Sequence, residues 1–208
     1  ATLTGVALSV SQATVKVDSV ATLTVSGNLA LASVTAAGET AARYSALKLG
    51  DVVVSASAGV GSFGLTGNLT IADLETNSVA TGFTGSRLNW ALAFDLDGDG
   101  AKDILDPGAL LPTAVALPID FASALELAVS GTVSGTGALL NGAGTETLIA
   151  AGPIAIGGSA SFALSRRTVD VDTDANGTAD LLGATLTGVA LSVSQATVKV
   201  DSVATLTV

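Results

Sequence analysis

Two side chains that carry much of protein chemistry are missing: the 208 residues include no cysteine and no histidine. Without cysteine there is no disulfide framework, and no thiolate to attack a substrate or bind a metal. Without histidine as well, the common nucleophile–base pairs are unavailable. Outside two short stretches the acids are scattered, at Glu39, Asp51, Asp73, Glu75, Asp120, Glu126 and Glu146, with Asp18 and Asp201 near the two ends. No carboxylate pair stands out for glycosidase or lyase work. The expectation is a chain that is not an enzyme.

Bulk and positive charge are scarce too. Aromatic residues make up 3%, charged residues 12% and hydrophobic residues 49%, with a mean hydropathy of +0.65. A core made of Val, Leu, Ala and Ile implies thin, regular, closely stacked layers rather than a bulky centre. Trp90 is the sole tryptophan, and no aromatic core signature is apparent. The formal net charge of −10 repels phosphate backbones and anionic lipid, which argues against nucleic acid as a partner. The 24 glycines follow no every-third period, which excludes collagen. Val52 to Ala72 is uncharged and long enough to span a bilayer. Its interspersed glycines and alternating pattern suit strands better, so no membrane insertion is expected.

What is present is a repeat. Ala1–Val25 returns letter for letter at Ala184–Val208, an offset of 183 residues. Identity across apolar and polar positions alike points to a tandem array. Residues 1–183 then form one full period and 184–208 the start of the next, with no signal peptide expected on such an internal window.

Within the period, apolar residues alternate, as at Val6, Leu8, Val10 and again at Ala13, Val15, Val17. This predicts strand after strand, ten or more in all. Parity shifts at Ser11–Gln12, Asp18–Ser19 and Ser26–Gly27–Asn28 predict turns or bulges. The Gly-Asn or Gly-Thr pairs at Gly27, Gly67 and Gly131 predict strand junctions. Residues 36–43, 75–87 and 139–146 read as loops. Phe121 to Val129 is the one stretch whose Ala, Leu and Glu content favours a short helix. The fold class expected is all-β: an elongated repeat of solenoid-like stacked β-strands, with tandem Ig-like β-sandwiches as the alternative. Rungs of about 22 residues put about eight in a period, or about 40 Å at strand spacing.

Two aspartate loops are the sharpest chemical feature. In the first, Asp95, Asp97, Asp99 and Asp103 fall at positions 1, 3, 5 and 9, with Gly100 at position 6. Ala101 offers a backbone carbonyl at position 7 and Asp106 stands at position 12. In the second, Asp172, Asp174, Asn176 and Asp180 take the first set of places, with Gly177 at position 6 and Thr178 at position 7. Its twelfth position is not acidic, and Asp170 adds charge nearby. Alternate inward-facing oxygens around a sharp glycine bend are what a calcium ion requires. A donor set without His or Cys suits Ca²⁺ over transition metals. The two segments hold five and four of the 18 acidic residues, and such crowded charges repel without an ion between them.

Phe94 to Leu105 (FDLDGDGAKDIL) resembles the calcium loop of FG-GAP and related hairpins. Ser161 to Leu186 is similar to segments of giant bacterial calcium-dependent tandem-repeat surface adhesins. The nonapeptide pattern of RTX toxins is absent. The resemblance implies an extracellular, cell-surface location and a calcium-stabilised structural repeat that gives an adhesin or filament length and rigidity. It also implies partners in neighbouring repeats of the same chain or fibre, and in other surfaces or cells through a distal region. Alternatives are a self-assembling extracellular fibre subunit, an ice-binding β-module suggested by the Thr-Leu-Thr runs, or a carbohydrate-binding β-module, for which the chain shows no aromatic platform.

Overall fold

The computed structural model describes residues 1–17, 20–83, 85–140, 145–201 and 204–207. The strands are β1 (Thr2–Val17), β2 (Ala21–Thr35), β3 (Tyr44–Val60), β4 (Phe63–Val79), β5 (Leu125–Gly135), β6 (Thr147–Ala151), β7 (Ile154–Val171), β8 (Leu181–Val200) and β9 (Ala204–Thr207). The fold is all-β. Its strands form one antiparallel sheet in the order β1-β2-β3-β4-β5-β7-β8-β9, and β6 pairs with β4 and β7.

The strands are long because the alternation is long. β3 runs for 17 residues, which at about 3.3 Å per residue spans about 55 Å. Two-residue connections at Gly61–Ser62 and Gly152–Pro153 turn β3 into β4 and β6 into β7. β5 and β6 share one rank of the sheet. β5 lies beside Gly67–Thr76 of β4, and β6 beside Phe63–Leu65.

Several expectations change here. Nine strands stand among the described residues rather than ten or more. From β1 to the repeated strand β8 the sheet advances six ranks rather than eight. The 45 residues between β4 and β5 leave the sheet, and the rest supply six ranks. The glycines at 27, 67 and 131 do not separate strands; each lies inside one. A Cβ on Gly131 would stand 2.2 Å from the Thr70 carbonyl oxygen, and one on Gly27 would stand 2.6 Å from Val52 Cα. Glycine inside a strand marks close approach of a neighbouring backbone. β4 runs on to Val79, so only the later part of 75–87 is loop.

Residues Leu125 to Val129 are strand, not helix, because β4 and β7 offer pairing edges on both sides. Among the described residues, the helical turn that does form is a 3-10 turn at Pro107–Leu110. The expected bulges appear at Ser11–Gln12 and at Ser26–Asn28, as register shifts in β1 and β2. The expected turn at 18–19 and the interior of the 139–146 loop (141–144) lie outside the described residues. Leu139 and Glu146 bridge across that loop.

The core also differs from the aromatic-free stack expected. The segment between β4 and β5 crosses one face of the sheet and brings Trp90, Leu117, Ile119 and Phe121 onto Ala30, Ala32 and Ala46. Trp90 is 0% exposed. Small alanines on the sheet leave room for the large ring, so one tryptophan suffices to centre the core. Buried Asn77 on β4 fastens the crossing segment. Its Nδ2 donates to the carbonyls of Leu88 (2.9 Å) and Ala122 (3.2 Å), and its Oδ1 accepts from Trp90 Nε1 (3.0 Å).

Candidate metal centres

The two aspartate loops occupy different parts of the fold. The first lies in the crossing segment. An isolated bridge pairs Phe94 with Asp103, and the Phe94 ring lies 5.6 Å from that of Trp90, centroid to centroid. The second connects β7 to β8, and its last flanking pair is Val171 with Leu181.

Despite different sequences and settings, the two loops fold alike. Position 9 donates its backbone N–H to the carbonyl just before position 1: Asp103 to Phe94 (2.9 Å) and Asp180 to Val171 (2.8 Å). The carboxylate at position 9 accepts from the N–H of position 2, Leu96 (2.6 Å) or Thr173 (2.8 Å). The carboxylate at position 1 accepts from the glycine at position 6, Gly100 (3.1 Å) or Gly177 (2.7 Å). Position 3 accepts from position 5: Asp97 from Asp99, and Asp174 from Asn176. Position 5 accepts from position 7: Asp99 from Ala101, and Asn176 from Thr178. The position-6 glycines have φ of +87° and +88°, in the left-handed region that favours glycine.

These turns aim carboxylates at a common point. Ligand oxygens of Asp95, Asp97 and Asp99 lie within 4.8 Å of one another, as do those of Asp172, Asp174 and Asp180. Either cluster could hold a metal ion. Each is open to solvent, with only Asp172 half-buried. Asp103 is outside the first trio, although its counterpart Asp180 belongs to the second. Asp106 is engaged elsewhere. Its Oδ1 accepts from Gly108 and Leu117, both at 3.0 Å, capping the 3-10 turn and fastening the chain that follows it. Asn176 Nδ2 donates to Asp174 Oδ2 at 2.9 Å. Asp170 accepts from the Gly183 N–H at 2.7 Å, bracing the base of the β7–β8 hairpin.

Hydrogen bonding to the charged form favours it. The Gly177 N–H holds the Asp172 carboxyl below the usual carboxylate range, helped by Asp174 and Asn176 and opposed by slight desolvation. The Thr173 hydroxyl does most to lower Asp180, and the Thr173 N–H adds to it. The second loop therefore holds Asp172 and Asp180 in the anionic form that a hard cation requires.

The sequence pattern found these residues because the loop is local. It missed the anchor of the first loop, the Phe94–Trp90 contact, whose only sequence signal is an aromatic four residues after the lone tryptophan. Arg166 Nε sits 3.1 Å from Glu126 Oε1 on the neighbouring strand β5. Among the described residues no helix is long and apolar enough to cross a membrane. No protein-family model, curated protein or solved structure matches this chain.

Proposed function

We propose that each aspartate loop binds one calcium ion and that the chain is a structural repeat of an extracellular bacterial surface adhesin or filament. The observation that carries the calcium assignment is the shared geometry. Two loops with different residues at half their positions adopt one hydrogen-bonding pattern and gather three carboxylates each. Oxygen-only donors select a hard cation, and crowded carboxylates at a net charge of −10 give that cation an electrostatic reason to bind. In the first loop Asp95, Asp97, Asp99 and Asp103 would hold the ion, with the Ala101 carbonyl. In the second the ligands would be Asp172, Asp174, Asn176 and Asp180, with the Thr178 carbonyl.

Support for the structural role comes from the exact 25-residue repeat, the long antiparallel sheet and the lack of nucleophile–base chemistry. The surface location rests on the resemblance of the two loop segments. A bound ion would lock the β7–β8 hairpin and tie the crossing segment at Phe94, stiffening both. The test is thermal unfolding by circular dichroism in calcium and then in EGTA. Two sites filled to about 100 times Kd add about 5 kcal/mol, or about 10–20 °C for a chain of this size. An unchanged melting temperature would reduce the loops to acidic turns.

A further inference from the structure

We propose that the outer edge of β1 receives β7 of a preceding copy of this unit, so that successive units share one unbroken sheet. This rests on the tandem-repeat reading above and adds its register. The repeated segment appears twice in the fold, in two different settings. As β1 it sits at one end of the sheet and pairs only with β2 among the described residues. As the larger part of β8 it is paired on both edges, with β7 and with β9.

The second setting displays what the first lacks. β8 and β9 pair Thr197 with Thr207 and Val200 with Ala204. Their copies in β1 and β2 pair identically, Thr14 with Thr24 and Val17 with Ala21. The next unit has thus begun in its own register while still joined to β7. Carried back by one period, the β7–β8 pairing sets Ser159 opposite Ser11, Ser161 opposite Ser9 and Thr168 opposite Thr2 of the following unit.

Direction and face both allow propagation. Six antiparallel ranks separate β1 from β8, an even number, so the two copies run the same way. The cross-strand row through Ala7 passes Ala30, Lys48, Glu75, Ala128 and Ser165 and ends on Gly188, the copy of Gly5. A slip of two residues keeps every side chain on its own face, whereas a slip of one would turn the apolar set outward.

Burial shows each copy half complete, and the halves are complementary. Leu3 packs against the core beneath the crossing segment, whereas its copy Leu186 is 56% exposed, with no such segment over it. Thr197 is 0% exposed, with its hydroxyl 3.4 Å from that of Thr145, whereas its copy Thr14 is exposed. Leu186 lacks the unit that follows, and Thr14 lacks the unit that precedes. The backbone differs to match. Gln195 has φ +55° opposite Gly158, while its copy Gln12 on the open edge is not left-handed.

The test joins residues 1–183 directly to a second full-length chain and compares this two-unit protein with the single chain. Ser159 Oγ and Ser194 Oγ lie 2.8 Å apart, and the chain has no other thiol, so S159C/S194C reports the junction alone. The disulfide is expected to form to the same extent in both proteins. In the two-unit protein, thiol labelling of a separate L186C variant is expected to slow by about tenfold or more relative to the single chain. Loss of the disulfide in the two-unit protein would mean that units separate and that β8 only caps the single chain. A disulfide with unchanged L186C labelling would mean that the next unit does not build on the shared strand. Either result overturns the proposal, as does failure of the disulfide in the single chain. Both proteins are measured in calcium and in EGTA. An absent calcium effect on melting would count against the ion sites alone, and a broken junction against the shared sheet alone.

Discussion

Backbone conformation at single positions decides how well the aspartate loops hold their shape. Gly98 and Ala175 share position 4, with φ of +82° and +59°, and Gly100 and Gly177 share position 6. A Cβ on any of the three glycines would meet nothing within 4 Å, so a substitution there is felt through the backbone alone. Gly100→Ala and Gly177→Ala are each expected to cost about 1 kcal/mol, the left-handed penalty less glycine's entropy. Ala175→Gly should act in the opposite direction by about 0.5 kcal/mol, all three being read from urea unfolding of the metal-free chain. Acid should act on the second loop in a defined sense. Asp172 and Asp180 have folded-state pKa values below the ordinary 3.8, so their stabilisation is present above that value. It disappears as pH falls through the lower, folded-state values. Metal-free amide exchange should therefore show Gly177 and Thr173 losing protection below about pH 4 while the sheet persists. Loss of those amides already at neutral pH would contradict the hydrogen-bonding account.

Among the elements, the crossing segment between β4 and β5 places the first loop on the sheet, and it hangs on one amide. Asn77 satisfies two carbonyls and the Trp90 indole at once, inside the core. Asn77→Ala takes the donor from the Leu88 carbonyl and the acceptor from the buried Trp90 indole, leaves the Ala122 carbonyl only the Leu125 N–H, and should destabilise the chain by about 3 kcal/mol. Trp90→Phe loses the N–H bond and part of the buried ring but leaves both carbonyls their Asn77 donor, so a smaller loss of about 2 kcal/mol is expected. Chemical denaturation measures both, and Asn77→Ala can also be followed by the fluorescence of the sole tryptophan. Equal losses would mean that the indole hydrogen bond, not the amide's grip on the backbone, holds the segment.

The same element marks where sequence reading stops. Alternation announces a strand from two or three residues, and an aspartate loop is complete within nine, so both were legible locally. Nothing near Trp90 announces that alanines 30, 32 and 46 lie beneath it, since those contacts join residues more than forty positions apart. Gly67 and Gly131 misled for a related reason, because the backbone that excludes a side chain there belongs to another strand. Asp106 was counted by spacing as a twelfth ligand, yet the N–H groups of Gly108 and Leu117, set by the 3-10 turn, claim one of its oxygens.

For the whole molecule, the six ranks between β1 and β8 set a length for the proposed period. At about 4.8 Å between strands, one more unit should extend the sheet by about 29 Å, rather than the 40 Å of an eight-rung stack. Electron microscopy of a multi-unit chain would measure that spacing, and a value near 40 Å would reject the six-rank period. In the proposed array each aspartate loop would recur once per added unit. Calcium binding is the claim on which the proposed stiffening and charge balance depend. Calorimetric titration of the metal-free chain with calcium tests it most directly. Two ions per 208-residue chain are expected, falling to one in Asp97→Asn with the second loop intact, and to one in Asp174→Asn with the first intact. No heat at millimolar calcium, or a stoichiometry that neither substitution changes, would contradict it.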